Sequence, residues 1–461
     1  MLYRSLLGLA AGLQVAVATN STIDPAAFNK ADIIDRDVAV IGGGSAGTYA
    51  AIRLRQLNQS VAVVEKKDRL GGHTETYVDA VTETAVDYGV LYYENTTVVT
   101  DYFAHFNIPL TTVFASGHYS NRVDFTTGKP AGAPQGNQSA ALALYAAQLQ
   151  KYPYLDAGFD LPDPVPEDLL LPFEDWVKKH NLGDAVNVIT MYNQGVGNPL
   201  KQSTIYMLKY FGLEVLKGIK GGFLQTAAHD NSLLYLAAKS ELGHDVYLQS
   251  TVKAVNRSNS RNPLNYVVIN TPAGEKLIRA KRIIVAVPPK VSNLNSFDLD
   301  HTERSLFSQF RNSYYYSILA KNTGIPEGLT LTNRGNNTLY NTPRLPGIYT
   351  VRPTLVSGLV SILYGSEKPL TEQQVKDDIT KSVLRLRNSG YNTTTPEYVQ
   401  FSDHSPFELV VPANAIRDDF YKELYGLQGH RDTFYTGAAW HVQDSSLIWR
   451  FTESLLQKHF A

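Results

Sequence analysis

Short apolar runs alternate with a helix-forming segment near the start of the chain. Residues 38–41 and 60–64 have the length and composition of buried parallel strands, and residues 46–54 between them are rich in helix-forming side chains. A strand, a helix and a second strand in this order form a βαβ unit with parallel strands. The pattern therefore predicts an α/β fold whose sheet begins close to residue 38.

The rest of the chain carries further helical and extended patterns without a repeat or an evident linker. Residues 160–166 are rich in proline and interrupt a helical region that is typical of a cap over a cavity. Residues 116–137, rich in Gly, Pro and Asn, indicate a loop. Helices are predicted over 140–151, 172–180, 204–216, 221–242, 371–386 and 445–460, and strands over 246–248, 266–269, 283–287, 358–364 and 433–436.

Three glycines follow the first predicted strand at the spacing G-x-G-x-x-G. Gly42 allows the tight turn, Gly44 lets the backbone approach a pyrophosphate, and Gly47 lets the next helix pack closely on the strand. The N-terminus of that helix offers free N–H groups and the positive end of the helix dipole to an anion. The motif predicts a site for an adenine dinucleotide.

A second group of residues strengthens this prediction. Glu65 ends the second predicted strand 18 residues after Gly47, where an acidic side chain meets the ribose hydroxyls. Arg69 and the pair Gly71-Gly72 follow, so a second glycine turn could lie against the dinucleotide while the guanidinium neutralises phosphate charge. NAD remains open from the first motif alone, whereas the second glycine pair favours FAD.

The fingerprint followed by E-x-x-x-R-x-G-G resembles the FAD-dependent flavin-containing amine oxidoreductases. Later segments extend the likeness: residues 85–90 resemble the strand beside the flavin ring, 246–255 and 282–289 the second half of the FAD domain, and 434–437 the closing flavin motif. The residues Gly-Gly-His-Thr at 71–74 and the segment 437–446 are similar to a secreted fungal branch around β-cyclopiazonate dehydrogenase.

The resemblance implies an architecture. It is a Rossmann-like FAD-binding domain (GR2/amine-oxidase type) with an interleaved α+β substrate domain and a helical cap. We expect a signal peptide over 1–18, a discontinuous FAD-binding domain over 36–95, 221–290 and 430–461, and a substrate and cap domain over 96–220 and 291–429.

The resemblance also implies site residues. The candidate contacts of FAD are Gly42, Gly44, Ser45, Ala46, Gly47, Glu65, Arg69, Gly71, Gly72, His73, Asp87, Gly89, Val252, Gly437 and Asp444. The candidate catalytic residues are Tyr316, Phe434, Trp440 and His441.

Several of these assignments have alternatives. His73 stands where many relatives carry Arg, and it could hydrogen-bond flavin or phosphate, carry a covalently attached flavin, or simply pack. Phe434 stands where amine oxidases have an aromatic wall of the cage that faces the flavin ring. Tyr316 is a weak match to a lysine near flavin N5, but residues 314–316 are also consistent with a strand whose side chains are alternately buried and exposed. Trp440 could equally be a core residue.

One departure from the family concerns the residues after Gly437. Ala438 and Ala439 occupy the place where a glutamate commonly follows the glycine, so that contact is in doubt and Asp444 is the candidate replacement. The departure also weakens an assignment to simple amines as substrates.

Composition narrows the chemistry. The 461 residues include no cysteine, which excludes disulfides and cysteinyl flavin attachment, and the 11 histidines show no metal-binding spacing, so no metal ligand is predicted. A net charge of −1 without a long single-sign run argues against a nucleic-acid partner. The 28 tyrosines suggest a flat apolar ligand surface with hydroxyl groups at its edge.

The N-terminus predicts export. Residues 1–18 carry one cation, an apolar core and an Ala-Val-Ala cleavage site, and no later apolar run is long enough to span a membrane. Seven N-x-S/T sequons agree with a secreted or lumenal glycoprotein: Asn20, Asn58, Asn95, Asn137, Asn256, Asn336 and Asn392.

Together these features predict an FAD-dependent oxidoreductase that abstracts a hydride from a small organic substrate. The family branch implies dehydrogenation or oxidative cyclisation of an apolar polycyclic natural product in fungal secondary metabolism, with molecular oxygen as a candidate electron acceptor. The alternatives are a secreted amine oxidase, a polyunsaturated fatty acid isomerase and a non-catalytic dinucleotide-binding protein.

Overall fold

The computed structural model describes residues 23–114, 119–133, 136–260 and 262–461. The predicted signal peptide and the sequon at Asn20 lie outside the described residues. Elements are numbered below in chain order.

The first large sheet has parallel strands at its centre. Its strands are β1 (Ile33–Ile41), β2 (Val61–Val64), β9 (Val246–Tyr247), β10 (Thr251–Asn256), β11 (Asn265–Thr271), β12 (Gly274–Val285) and β20 (Thr433–Tyr435). The order is β10-β11-β12-β1-β2-β9, and β20 pairs with the end of β12. The strands β1 and β2 run parallel with Val38 opposite Val61, as the βαβ pattern predicts.

The second large sheet is mainly antiparallel. Its strands are β6 (Tyr119–Asp124), β7 (Lys129–Pro130), β14 (Tyr314–Lys321), β15 (Leu329–Asn333), β16 (Gly347–Pro353), β17 (Leu359–Ser366) and β18 (Glu397–Asp403), in the order β18-β14-β17-β16-β15-β6-β7. Three two-stranded pairs complete the strands: β3 (Thr76–Val78) with β4 (Ala85–Asp87), β5 (Leu110–Val113) with β8 (Phe223–Thr226), and β13 (Arg311–Asn312) with β19 (Leu409–Val410).

Fourteen α-helices surround the sheets within the described ranges. They are α1 (Ser45–Gln56), α2 (Thr97–His105), α3 (Gln138–Leu149), α4 (Glu167–Leu170), α5 (Phe173–Lys179), α6 (Val186–Tyr192), α7 (Thr204–Tyr210), α8 (Leu213–Gly221), α9 (Ser232–Leu242), α10 (His301–Ser308), α11 (Glu372–Arg385), α12 (Ala413–Arg417), α13 (Phe420–Tyr425) and α14 (Ser445–His459). In the part of the chain that the structure describes, no helix combines the length and apolarity needed to cross a membrane.

The α/β fold is confirmed, but three local predictions were wrong. Residues 116–137 contain β6 and β7, because β6 pairs in parallel with β15 and β7 then forms the edge of the second sheet. The predicted helix over 204–216 is two helices that break at Phe211 and Gly212. The predicted helical segment from residue 221 begins as the strand β8.

The sheets draw on interleaved parts of the sequence. Strands of the first sheet come from residues 33–64, 246–285 and 433–435, whereas the second sheet uses 119–130 and 314–403. The predicted domain boundaries follow the same alternation and stay a prediction, since strand pairing alone does not define a domain.

Candidate functional site

The glycine motif forms a tight turn between β1 and α1. Gly42 has φ +102°, a conformation that L side chains rarely adopt, and a Cβ on Gly47 would lie 1.8 Å from the Gly42 carbonyl oxygen. By contrast, a Cβ on Gly44 would meet only the Cα of Gly72, at 3.7 Å. Gly42 and Gly47 therefore close the turn on the sheet, while Gly44 keeps the outer side of the turn open for a ligand.

Glu65 lies at the end of β2, beside this turn. One of its carboxylate oxygens accepts the N–H of Gly43 at 2.7 Å and the other accepts the N–H of Lys67 at 2.8 Å. Each oxygen keeps a free acceptor position for a ribose hydroxyl. The N–H of Ser250 donates to the Glu65 carbonyl at 2.9 Å, which brings the start of β10, and with it Val252, to the same end of the sheet.

The second glycine pair lies directly against the first turn. Gly71 and Gly72 have φ values of +110° and +60°, and a Cβ on Gly72 would come within 2.9 Å of the Cα of Gly44. The N–H of Gly71 donates to the carbonyl of Gly43 at 2.9 Å, so the two glycine turns touch through backbone atoms and form one continuous surface.

Arg69 and Lys67 both bind the second glycine pair. The guanidinium of Arg69 donates to the carbonyl of Gly72 at 3.3 Å and forms an ion pair with Glu75 at 2.5 Å, and Lys67 binds the same two partners at 3.0 and 2.9 Å. Both cations therefore hold the glycine pair in place, and the single carboxylate of Glu75 compensates one of their two charges.

Asp87 and Gly89 contact the segment that follows the second glycine pair. The Asp87 carboxylate accepts the hydroxyl of Thr76 at 2.5 Å and the N–H of Asn231 at 3.1 Å, and burial raises its pKa to about 7. A Cβ on Gly89 would lie 2.0 Å from the carbonyl oxygen of His73. Asp87 and Gly89 therefore position the segment 73–76 through contacts with other protein groups.

The N-terminus of α14 completes the site. Asp444 caps the helix by accepting the N–H of Leu447 at 3.0 Å, and Gly437 at φ +109° turns the chain toward it. The hydroxyl of Ser445 lies 2.9 Å from that of Ser45, so the N-termini of α1 and α14 meet. Two converging helix N-termini favour an anionic ligand.

The residues present fit an FAD molecule. Gly72 leaves no room for a side chain against Gly44, so the surface here is backbone alone, and the hydroxyl groups of the nearby Thr74 and Tyr235 are buried without a well-formed hydrogen bond among the described residues. Buried hydroxyl groups of this kind are usually satisfied by a partner, which a bound dinucleotide supplies. Gly44, Ser45, Ala46, Glu65, Gly72 and the start of α14 would hold the cofactor.

Beyond the glycine pair lies a group of rings that we call the aromatic wall: His73, Tyr315, Tyr349, His404 and Phe407. The rings of His73 and His404 stack at 4.5 Å, and Tyr315 lies 4.8 Å from Phe407 and 6.2 Å from Tyr349. Burial, with the charge of Lys67 acting in the same direction, lowers the pKa of His73 to about 4, and burial lowers the pKa of His404 well below its usual value. The wall is therefore aromatic and uncharged at neutral pH.

Two predicted catalytic residues lie elsewhere. Tyr316 belongs to β14 as the alternative interpretation of residues 314–316 stated, but it faces the core over α11, where its hydroxyl bonds the carbonyl and N–H of Leu370. Successive side chains of a strand point to opposite faces, so Tyr315 is the tyrosine beside the wall. Phe434 on β20 packs against Phe460, with ring centres 4.8 Å apart, in the core between the first sheet and α14.

Trp440 and His441 follow Gly437 in the closing loop. Trp440 is fully buried and stacks on Tyr435 at 5.3 Å, which matches the core alternative. His441 is also buried, and its Nε2 lies 2.9 Å from the carbonyl oxygen of Asp156. His441 therefore faces the helical region and not the aromatic wall.

The structure brings to the site several residues that the sequence did not single out. Phe407 and His404 lie in the wall, and the adjacent Glu408 is buried beside Tyr210, with burial raising its pKa to about 8. Glu94 is buried near the start of α14, where its N–H donates to the hydroxyl of Ser446 at 3.0 Å. For Tyr315 alone the sequence offered a signal, because side chains alternate between the two faces of β14. The other residues reach the site through contacts between segments that are distant in sequence.

Known proteins resemble this chain over most of its length. The flavin containing amine oxidoreductase family matches residues 45–386. The FAD-dependent oxidoreductase oblC of Cochliobolus heterostrophus is 38% identical, over 97% of this chain and 95% of its own. The FAD-dependent oxidoreductase dbaF of Emericella nidulans is 39% identical, over 98% and 97%, and beta-cyclopiazonate dehydrogenase of Aspergillus flavus is 32% identical, over 98% of both chains.

Solved structures share the fold at low identity. The fatty acid isomerase from P. acnes that produces CLA superposes with a TM-score of 0.77 at 16% identity, covering 92% of this chain and 99% of that chain. Putrescine oxidase bound to putrescine gives a TM-score of 0.65 at 17% identity over the same shares. At this identity the likeness shows a common fold.

Proposed function

This chain belongs to the flavin-containing amine oxidoreductases and is an FAD-dependent oxidoreductase, and on that premise we propose that it removes a hydride from an apolar polycyclic substrate of fungal secondary metabolism. The observation that carries the proposal is the aromatic wall, which begins at His73, directly after the second glycine turn. Bound FAD supplies the hydride acceptor at N5 of its flavin ring.

The charge state of the wall favours an apolar substrate. His73 and His404 have pKa values lowered by burial, and burial raises the pKa of Tyr315, so all three stay neutral between about pH 6.5 and 10. A wall of neutral rings binds planar apolar groups, and ring faces stabilise a cation that forms when a hydride leaves. A site for a simple protonated amine would instead gain from an ionised carboxylate.

The substrate test is anaerobic mixing of the FAD-loaded protein with two panels, one of simple amines and one of apolar polycyclic indoles and phenols. We expect the polycyclic compounds to bleach the flavin absorbance and to yield products two hydrogen atoms lighter. Bleaching by simple amines alone indicates an amine oxidase, and a product of unchanged mass indicates an isomerase. Retention of FAD without bleaching by any compound favours the binding-protein alternative.

A pair of neighbouring tyrosines gives a matched control. Tyr315→Leu removes a ring from the wall and should raise KM for the polycyclic substrate, whereas Tyr316→Phe changes only the opposite face of β14 and should not. Equal effects of the two substitutions on KM would contradict the assignment of the wall as the substrate surface. Oxygen consumption during turnover tests molecular oxygen as the electron acceptor.

We also propose that the mature protein is secreted and glycosylated. The asparagines of four sequons, Asn58, Asn95, Asn336 and Asn392, are exposed, which supports glycosylation there. Expression of the full chain in a filamentous fungus should yield protein in the medium that starts after residue 18 and loses mass on treatment with a glycosidase. Retention inside the cell with an intact N-terminus would refute this part of the proposal.

A further inference from the structure

The aromatic wall shares one face of the second sheet with an arginine. Tyr316 on β14 and Val351 on β16 both belong to the core that this sheet forms with α11. Successive side chains of a strand point to opposite faces, so the neighbouring Tyr315 and Arg352 both lie on the face away from α11. The proposed substrate surface and Arg352 are therefore on the same side of the sheet.

Two residues with hydroxyl groups flank Arg352 on this face. In the antiparallel pairing of β16 with β17, Arg352 lies opposite Ser361. On the other side Leu331 of β15 lies opposite Val351, so the preceding Thr330 lies opposite Arg352. Side chains of directly opposite residues start about 5 Å apart, so both hydroxyl groups can approach the guanidinium. We call Ser361, Arg352 and Thr330 the polar row.

Each member of the polar row has a polar atom without a partner. Nη2 of Arg352 and the hydroxyl oxygens of Ser361 and Thr330 are buried, and none of them has a hydrogen-bond partner among the described residues. Arg352 also forms no ion pair within the described ranges, whereas the buried Arg257 pairs with two carboxylates. Buried polar atoms without a partner cost free energy, so the polar row favours an acceptor from outside the protein.

The charge of Arg352 acts on the aromatic wall. Burial raises the pKa of Tyr315, and the positive charge of Arg352 acts on it in the opposite direction, so the two groups lie near enough to interact. Along the same face of β14, Ser317 and Leu319 follow Tyr315, and Leu319 lies opposite Ser361. These four residues of strand span about 13 Å. A ligand with several rings can therefore contact the wall at one end and the polar row at the other.

The chemistry of the polar row selects an anion. A guanidinium binds a carboxylate through two parallel hydrogen bonds and repels a protonated amine. The hydroxyl groups of serine and threonine can donate to the same anion. Arg352 and Thr330 are half-buried, so the row lies at the rim of the site, where an ionic group keeps part of its hydration.

We propose that the polar row binds a carboxylate of the substrate while the aromatic wall holds its rings, so that the substrate is a polycyclic acid. The choice of this substrate class rests on the proposed function, because it describes the compound that is oxidised at the wall. Arg352 donates two hydrogen bonds to the carboxylate, and Ser361 and Thr330 donate one each. Contacts at both ends of the substrate restrict which of its carbon atoms can face the flavin.

Two probes of similar shape test the polar row without turnover: pyrenebutyrate and its neutral amide. Calorimetric titration of the FAD-loaded protein measures the dissociation constant of each. The unmodified protein should bind the acid about 10- to 100-fold more tightly than the amide, as expected for hydrogen bonds to a charged group. Equal affinities would overturn the carboxylate site, and this comparison needs no variant.

Substitutions test which residues cause the preference for the acid. Arg352→Gln should abolish the preference and leave the affinity for the amide unchanged, and Ser361→Ala should weaken binding of the acid by about 3- to 10-fold. Arg344→Gln is the matched control, because it removes the charge of an exposed arginine just before β16, and it should keep the preference. An Arg352→Gln protein that still prefers the acid would overturn the assignment.

A crystal structure of the FAD-loaded protein with pyrenebutyrate locates the acid directly. The carboxylate should lie within hydrogen-bond distance of Arg352, with the rings on the aromatic wall. A carboxylate bound elsewhere would overturn the polar row as its site.

Tyr315→Leu separates failure of the carboxylate site from failure of the proposed function. It should weaken binding of both probes by a similar factor, since each places its rings on the wall. Equal binding of the two probes that Tyr315→Leu weakens would overturn the carboxylate site alone. Binding of neither probe to the unmodified protein would overturn the wall as the substrate surface, and the polar row with it.

Discussion

Because the two glycine turns touch through backbone atoms, we predict that a side chain at Gly72 weakens FAD binding. In Gly72→Ala the new Cβ would lie 2.9 Å from the Cα of Gly44, at least half an ångström inside the ordinary contact range that begins at 3.4 Å. The neighbour is backbone, so relief requires the two turns to separate. The residue would also hold a positive φ of +60°, which costs a non-glycine residue about 1–2 kcal/mol.

The size of the effect follows from the geometry that binding demands. Binding groups must stay within about 0.5 Å of their productive positions, and the forced separation is of that size. We expect FAD affinity to fall about 10- to 100-fold, which corresponds to about 1.4–2.8 kcal/mol. Titration of the apoprotein with FAD, followed by flavin fluorescence or calorimetry, measures the dissociation constant.

Gly390→Ala is the control for general destabilisation. Gly390 also has a positive φ, +81°, but a Cβ there would meet nothing within 4 Å. It should reduce the free energy of unfolding by about 1–2 kcal/mol and leave FAD affinity unchanged. The reasoning is refuted if Gly72→Ala binds FAD as tightly as the unmodified protein, or if Gly390→Ala weakens binding equally.

Two further predictions concern stability. Glu303→Gln should lower the free energy of unfolding by about 1–3 kcal/mol in urea denaturation, because it removes the charge of one fully buried partner of Arg257, which keeps its pair with Asp298; Glu167→Gln, in an exposed pair, should change it by less than about 1 kcal/mol, and similar losses in both would contradict this. The buried histidines should make a contribution that falls in acid: the folded state keeps His73 and His404 neutral below their usual pKa of 6.5, so the unfolded state binds more protons there as the pH drops from 6.5 toward 4. The raised pKa values of Asp87 and Glu408 act in the opposite direction, so the histidine contribution is measured as a difference between proteins. In thermal unfolding, the Tm of His404→Phe should fall less, or rise more, over that range than the Tm of the unmodified protein, and parallel Tm profiles would disprove this.

The cofactor half of the site was predictable because its signals are local. The fingerprint glycines and Glu65 lie within one βαβ unit, so their spacing in sequence fixes their spacing in space. The same holds for α11, where Thr371 caps the helix through its bond with the N–H of Gln374.

The substrate half depends on pairing between distant segments. Whether Tyr315 or Tyr316 faces the site is set by the register of β14 between β17 and β18, which the run of three tyrosines does not encode. Phe434 matched a family motif, yet its direction is set by the helix that packs over β20. Glu94 has no neighbouring motif at all, since its burial arises from α14, more than 350 residues later.

The meeting of α1 with the last helix has a consequence for protein synthesis. Trp449 donates to the carbonyl of Ser45 at 3.2 Å, and Arg53 pairs with Glu453 at 2.8 Å, so residues at the far end of the chain pack directly on the opening βαβ unit. A ribosome makes those residues last. A nascent or truncated chain therefore contains the whole nucleotide fingerprint but an incomplete pocket. Flavin binding is thus expected only of chains whose translation reached the end.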